Sequence, residues 1–184
     1  MTGRATGQGD AERLYDELLV TLVQSGDRVA GERLARRWQP RLARSARRVL
    51  RSDEMALVAV QDTWISILRG IGGLREPSRF APWAFGILRR RCIDRIRSAQ
   101  NRRSHEATGE VEQSLPAVAD ERLAIDQAFA ALSPDQRLAA QLHFVEGLTL
   151  AEIAAVQDVP LGTAKTRLFH ARQKLKAALE GDDT

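Results

Sequence analysis

Residues 147–175 read GLTLAEIAAVQDVPLGTAKTRLFHARQKL, and the spacing within this stretch decides the fold. Thr149 stands three residues before Glu152, the pattern of a reciprocal cap that opens a helix. That helix presents Leu150, Ile153 and Ala154 to one side. A turn over Gln157–Pro160 follows, and a second helix begins at Leu161-Gly162-Thr163. The small residues Ala151, Ala154 and Ala155 let two helices cross closely. This is the layout of a helix-turn-helix, whose second helix enters the major groove of duplex DNA. Lys165, Thr166, Arg167, His170 and Arg172 fall on the polar side of that second helix, and Leu168, Ala171 and Leu175 on the other. The same spacing fits an ordinary helical hairpin with a basic exposed face. No other His, Cys or carboxylate stands at metal-ligand spacing from His170.

The charge distribution around this stretch is uneven. The chain carries 28 Lys+Arg against 24 Asp+Glu over 184 residues. Residues 1–119 hold 21 Arg and 14 acids, whereas 120–184 hold 7 basic residues and 10 acids. Arg28–Arg51 has nine Arg and one acid, Arg89–Arg103 has seven Arg and one acid, and Leu161–Lys176 has five positive charges and no acid. Three such concentrations imply a polyanionic partner. In RFAPWAFGILRRRCIDRIR (Arg79–Arg97), arginines interleave with aromatics. That pattern suits single-stranded or melting DNA, with phosphates on arginine and bases on rings. Phe80, Trp83 and Phe85 serve equally well as core, as do Trp38 and Trp64.

Helical periodicity extends to the N-terminal half. Leu14, Leu18, Leu19 and Leu22 mark a helix over 12–24. Ser25-Gly26-Asp27 ends it and caps the next, which carries Ala30, Leu34, Trp38, Leu42, Ala46 and Leu50 and is expected to kink or divide at Pro40. Ser52-Asp53-Glu54 opens a helix to Gly70 with Leu57, Val60, Trp64, Ile67 and Leu68 inward. Gly70–Ser78 is a loop by composition. Residues 79–97 form a further helix with Phe80, Trp83, Ile87 and Ile93 inward. Ser133-Pro134-Asp135 opens a helix over 134–145. No strand-type alternation or internal repeat is present. The expected fold is all-α: a disordered segment 1–10, a helical domain 11–97, a flexible linker 98–120, a helix-turn-helix domain 121–180 and a tail 181–184.

The composition excludes several classes. One cysteine, Cys92, rules out a disulfide scaffold and a Cys-based zinc site. No apolar run approaches the ~18–20 residues of a membrane span, and MTGRATGQGD has no signal-peptide character. The chain is expected to be soluble, cytoplasmic and free of membrane insertion. No nucleophile, metal or phosphate-loop constellation occurs, so neither an enzyme nor a cofactor is expected.

Taken together, the two halves resemble the extracytoplasmic-function (ECF) sigma factors of bacterial RNA polymerase, over about Glu17–Leu179. The first half is similar to sigma domain 2 through SGDRVAGERLARRWQPRLARSARRVL, VQDTWISIL and the run Trp83, Ile87, Arg89, Ile93, Asp94, Arg97. The second is similar to domain 4 through LSPDQR, EGLTLAEIA and VPLGTAKTRLFHARQKL.

The resemblance implies a set of roles. Gln61, Asp62 and Trp64 would meet core RNA polymerase. The loop Gly70–Ser78 would capture a flipped-out base of the −10 element, with Arg75, Ser78, Arg79, Trp83, Arg89, Arg90, Arg91 and Arg97 toward that strand. Lys165, Thr166, Phe169 and His170 would lie near bases of the −35 duplex, and Thr163, Arg167 and Arg172 near its phosphates. The linker would thread toward the RNA exit path, and an anti-sigma factor would be the regulator. Two positions depart from the family pattern. Leu57-Val58 replace an acidic pair, the nearest acids being Asp53-Glu54, and Arg90-Arg91 replaces Arg-Asn. Two other readings fit part of the chain: a helix-turn-helix regulator independent of polymerase, and a sigma-like decoy for an anti-sigma factor.

Overall fold

The computed structural model describes residues 4–105 and 127–180, and among these every regular element is helical. Helix α1 spans Arg4–Gln24, α2 Arg28–Leu50, α3 Asp53–Gly70 and α4 Phe80–His105. In the second half α5 spans Pro134–Ala140, a π-turn Gln141–Val145 follows, and then come α6, Leu150–Gln157, and α7, Leu161–Glu180. Two 3₁₀ turns, Ile71–Gly73 and Pro77–Arg79, shape the connection from α3 to α4.

Local chemistry sets the boundaries. Asp27 Oδ1 accepts hydrogen bonds from the amides of Val29 and Ala30, and Gly26, at φ +94°, supplies the left-handed turn that lets the chain reverse. Ser52 caps α3 through the amide of Met55. Reciprocal caps open α5 (Ser133 with Gln136) and α6 (Thr149 with Glu152).

The structure departs from expectation at three places. Residues 4–10, expected without structure, are the first turns of α1. Pro40 does not divide α2, because Trp38 and Leu42 on either side of it are wholly buried and hold the helix in place. Residues 98–105, expected as linker, continue α4. The remainder of that linker, the first residues of the second domain and the tail 181–184 lie outside the described residues.

The core centres on Trp38, which meets Phe80 edge-on at 4.9 Å and Phe85 at 5.7 Å. Leu34, Leu42 and Ala46, which with Trp38 recur at one-turn spacing on α2, complete the buried stripe. All three aromatic side chains are buried, so truncating any one of them is expected to cost about 3–5 kcal/mol. On α3 the inward residues are Ala56, Ala59, Val60, Thr63 and Ile67. Leu57 and Leu68, expected inward, are 57% and 68% exposed.

The two halves pack together. Buried residues of the helix-turn-helix unit, among them Leu138, Leu142, Ile153 and Val156, belong to one contiguous apolar cluster with those of α1–α4. Polar contacts cross the same junction. Arg41 on α2 pairs with Glu146 at 2.8 Å, and the Glu146 side chain is only 2% exposed. Arg48 donates to Gln141 Oε1 and lies over the Phe129 ring. Arg137 gives three hydrogen bonds to the carbonyls of Phe129, Ala130 and Leu132, and a fourth to that of Arg48. Burial, and then the neighbouring charge of Arg51, lowers the pKa of Arg137.

Candidate nucleic-acid interface

Helix α7 is amphipathic by position. Ala164 and Ala171 are wholly buried, and Leu168 and Leu175 are partly so. This fixes the opposite face outward, where Thr163, Lys165, Thr166, Phe169, His170 and Arg172 are exposed. Thr166 Oγ1 donates back to the Gly162 carbonyl at 2.9 Å, and the Phe169 and His170 rings meet edge to face at 5.6 Å. Six of the seven residues expected on duplex DNA therefore share one solvent-facing side. Arg167 does not join them: its Nη2 lies 2.6 Å from Asp135, and its Nη1 donates to Gln157 Oε1 at 3.0 Å.

A second basic surface lies along α4 and the connection that leads into it from α3. Arg75, Arg79, Trp83, Arg89 and Arg90 line a cleft of about 510 Å³ together with Leu74 and Gly86. Ser78 is exposed but does not line it. Trp83 is half-buried; it packs on Phe80 at 5.9 Å while also walling the cleft. Ala155, Val156 and Asp158 of the helix-turn-helix unit close the far side. Arg91 and Arg97 face a neighbouring groove of about 450 Å³ with Ser66 and Asp94. There Arg91 donates to Ser66 Oγ at 2.8 Å and lies 3.7 Å from Asp94.

The three residues expected at polymerase are spread over two faces of α3. Gln61 is exposed, Asp62 is paired with Arg95 of α4, and Trp64 Nε1 donates to Gln39. Around Gln61 stands an apolar stripe of Leu57, Ile65 and Leu68, all exposed, of which sequence reading placed Leu57 and Leu68 in the core. The signal was weak because α3 has apolar residues on both sides, so periodicity alone does not choose the buried one.

The basic stretch Arg28–Arg51 also reads differently in three dimensions. Arg37 pairs with Asp16 at 2.6 Å, Arg41 with Glu146, and Arg47 with Asp53 at 3.0 Å, while Arg48 bonds Gln141. Arg37, Arg41 and Arg48 are thereby committed within the protein, whereas Arg28, Arg33, Arg36, Arg44, Arg47 and Arg51 stay exposed. Among the described residues no group of His, Cys, Asp and Glu is arranged to hold a metal ion. The Cys92 thiol is buried, and burial pushes its pKa up to about 12. Among the described residues, no helix is long and apolar enough to cross a membrane.

Comparison with known proteins matches both halves in order. Residues 34–102 fit the Sigma-70 region 2 family and residues 122–175 the Sigma-70 region 4 family. The chain is 34% identical over 176 residues to the ECF RNA polymerase sigma factor SigM of Mycobacterium tuberculosis, covering 93% of this chain and 87% of that one. It is 30% identical over 182 residues to the ECF RNA polymerase sigma-E factor of Salmonella typhimurium, covering 90% and 94%. Among solved structures, the sigma factor RpoE bound to the anti-sigma factor NepR from Bartonella quintana aligns with a TM-score of 0.71 at 24% identity, covering 81% of this chain and 96% of that one. CnrH bound to the cytosolic domain of CnrY aligns with a TM-score of 0.65 at 23% identity, covering 91% and 99%. With regions 2 and 4 both present and relatives matched along most of their length, the chain belongs to the ECF RNA polymerase sigma factors.

Proposed function

We propose that this chain binds core RNA polymerase and directs it to promoters, with region 4 reading a −35 element as duplex and region 2 opening a −10 element. The observation that carries this reading is the pairing of two different basic surfaces on one chain. The exposed face of α7 has the shape and charge to enter a major groove. The cleft at Trp83 is instead concave, flanked by Arg75, Arg79, Arg89 and Arg90, and suits an unstacked base and its phosphates. Affinity then comes largely from charge, and sequence choice from the two short readouts.

The exposed apolar stripe of α3, Leu57, Ile65 and Leu68 around Gln61, is the proposed polymerase contact. Its apolar character accounts for the absence of the acidic pair at 57–58: contact here rests on burial more than on charge. Sigma factors are regulatory proteins, so no catalysis is assigned. The two solved structures that it resembles were determined with NepR and CnrY bound; a cognate anti-sigma protein is the proposed regulator here.

Run-off transcription with purified core polymerase tests the reading. A promoter-specific transcript that requires this chain supports it. Duplex binding that neither needs polymerase nor yields transcript would favour a free-standing helix-turn-helix regulator.

A further inference from the structure

Arg167 lies in the middle of the recognition helix, yet it is turned away from the side that Lys165, Phe169 and Arg172 present. It stands three residues after Ala164 and four before Ala171, both wholly buried, so it shares the border of the inward stripe. Both of its terminal nitrogens are engaged there. Nη2 is 2.6 Å from Asp135 Oδ2 in the first turn of α5, and Nη1 donates to Gln157 Oε1, the last residue of α6, at 3.0 Å. Gln157 is wholly buried, and its Nε2 donates to the Asp135 carbonyl at 2.8 Å. The three residues close a triangle with one corner on each helix of the helix-turn-helix unit.

We propose that Arg167 is a positioning residue for promoter recognition, acting through Asp135 and Gln157 to set the pose of α7, and not a contact to DNA phosphate. This rests on the reading that region 4 binds duplex DNA. A planar guanidinium held at two points resists rotation of α7 about its own axis in a way a single contact does not. Rotating α7 would misalign its base-reading side chains with the groove. Asp135 is a carboxylate in a domain that binds a polyanion. Here that carboxylate is engaged by Arg167 at 2.6 Å, which gives it a use inside the unit.

The sign of the Asp135 effect provides the test. Holoenzyme assembled from core polymerase and full-length chain is first used to select a duplex from a randomised pool. Affinity, the salt dependence of affinity, and preference over scrambled duplex are then measured for Asp135→Asn, Arg167→Gln, Arg167→Lys and the Asp135→Asn/Arg167→Gln pair. Thermal unfolding of each variant runs in parallel.

The expected result is that Asp135→Asn weakens selected-duplex binding roughly tenfold despite removing a negative charge. The salt slope should stay unchanged, the paired variant should be no worse than either single one, and Arg167→Lys should not rescue. The proposal is overturned if Asp135→Asn binds equally or more tightly, or if Arg167→Gln lowers the salt slope by about one contact while Arg167→Lys restores it. Should a glutamine or asparagine variant unfold, the lysine variant decides, since a phosphate contact survives that exchange and a forked brace does not. If the wild-type holoenzyme selects no duplex at all, the reading of region 4 fails and not the assignment of Arg167.

Discussion

Gly70, the last residue of α3, lies against the edge of Trp83, so that a Cβ at position 70 would stand 3.1 Å from Trp83 Cζ2. Gly70 has an ordinary negative φ of −106°; it is the closeness of the ring, and not the backbone, that calls for glycine. Gly70→Ala is expected to change stability by less than ~1 kcal/mol, because the helical gain of alanine offsets the crowding. The displaced ring should narrow the cleft at Arg75 and Arg89. Promoter opening, followed by permanganate reactivity of the −10 strand, is expected to fall while duplex −35 binding holds. Equal opening by wild type and variant would count against Trp83 as a wall of the strand site.

Exposed residues on the recognition helix should behave additively. Arg172→Ala is expected to reduce the salt slope of promoter binding by about one counterion, with a loss that shrinks as salt rises. Lys165→Ala should also weaken promoter binding. An unchanged slope in Arg172→Ala removes it from the phosphate contacts.

The α3 stripe gives a test of polymerase contact that spares the fold. Leu68→Asp places a charge at a position already 68% exposed, so unfolding should move by no more than ~0.5 kcal/mol. Binding to core polymerase, read by surface resonance or gel filtration, is expected to drop by at least ~10-fold as an apolar anchor is lost. A variant that still binds normally would move the contact off this face.

The junction between regions 2 and 4 should respond to single charge removals. Arg41→Met leaves the Glu146 carboxylate buried without its cation, a change that costs about 3–5 kcal/mol when the surroundings stay closed. Opening the junction relieves the penalty by hydrating Glu146, so the radius of gyration measured by X-ray scattering should rise. Arg41→Met/Glu146→Met should return toward the compact value. A single variant as compact as wild type would show that the apolar part of the junction suffices.

Cys92 gives the alkaline edge of stability. Its thiol pKa rises from 9.0 to about 12 on folding, through burial. Below pH 9 the thiol is neutral in both states and costs nothing. Between 9 and 12 the unfolded chain loses the proton and the folded chain keeps it, so stability falls by about 1.4 kcal/mol per pH unit. Cys92→Ala should flatten this slope in pH-dependent denaturation. A thiol reagent at pH 8 is expected to leave the native protein unlabelled.

Local signals in the sequence were legible wherever one residue type has one physical use. Asp27, Ser52, Ser133 and Thr149 were readable as caps because each stands before a helical pattern, and all four cap. The exposed face of α7 was readable, Arg167 apart, because Leu168, Ala171 and Leu175 leave the other side for its polar residues. What failed depends on long-range partners. Leu57 and Leu68 were placed inward because a leucine carries no mark of whether a neighbour or water covers it. Arg37, Arg41 and Arg48 counted as free charge, since nothing local names Asp16, Glu146 or Gln141, the last two some hundred positions away. Arg167 was placed on the polar side by spacing and near phosphates by resemblance, since nothing local names its partners Asp135 and Gln157.

The polar half of the junction has a colloidal consequence. When Arg41 leaves Glu146 and Arg48 leaves Gln141, each freed group is one that water satisfies, and Arg137 keeps three of its four carbonyls. Parting therefore bares charge alongside apolar surface, and charge discourages copies of the chain from sticking to one another. A wholly oily seam of the same extent would make every opened molecule a seed for aggregation. A molecule opened at this seam would then be less prone to stick to other copies of itself.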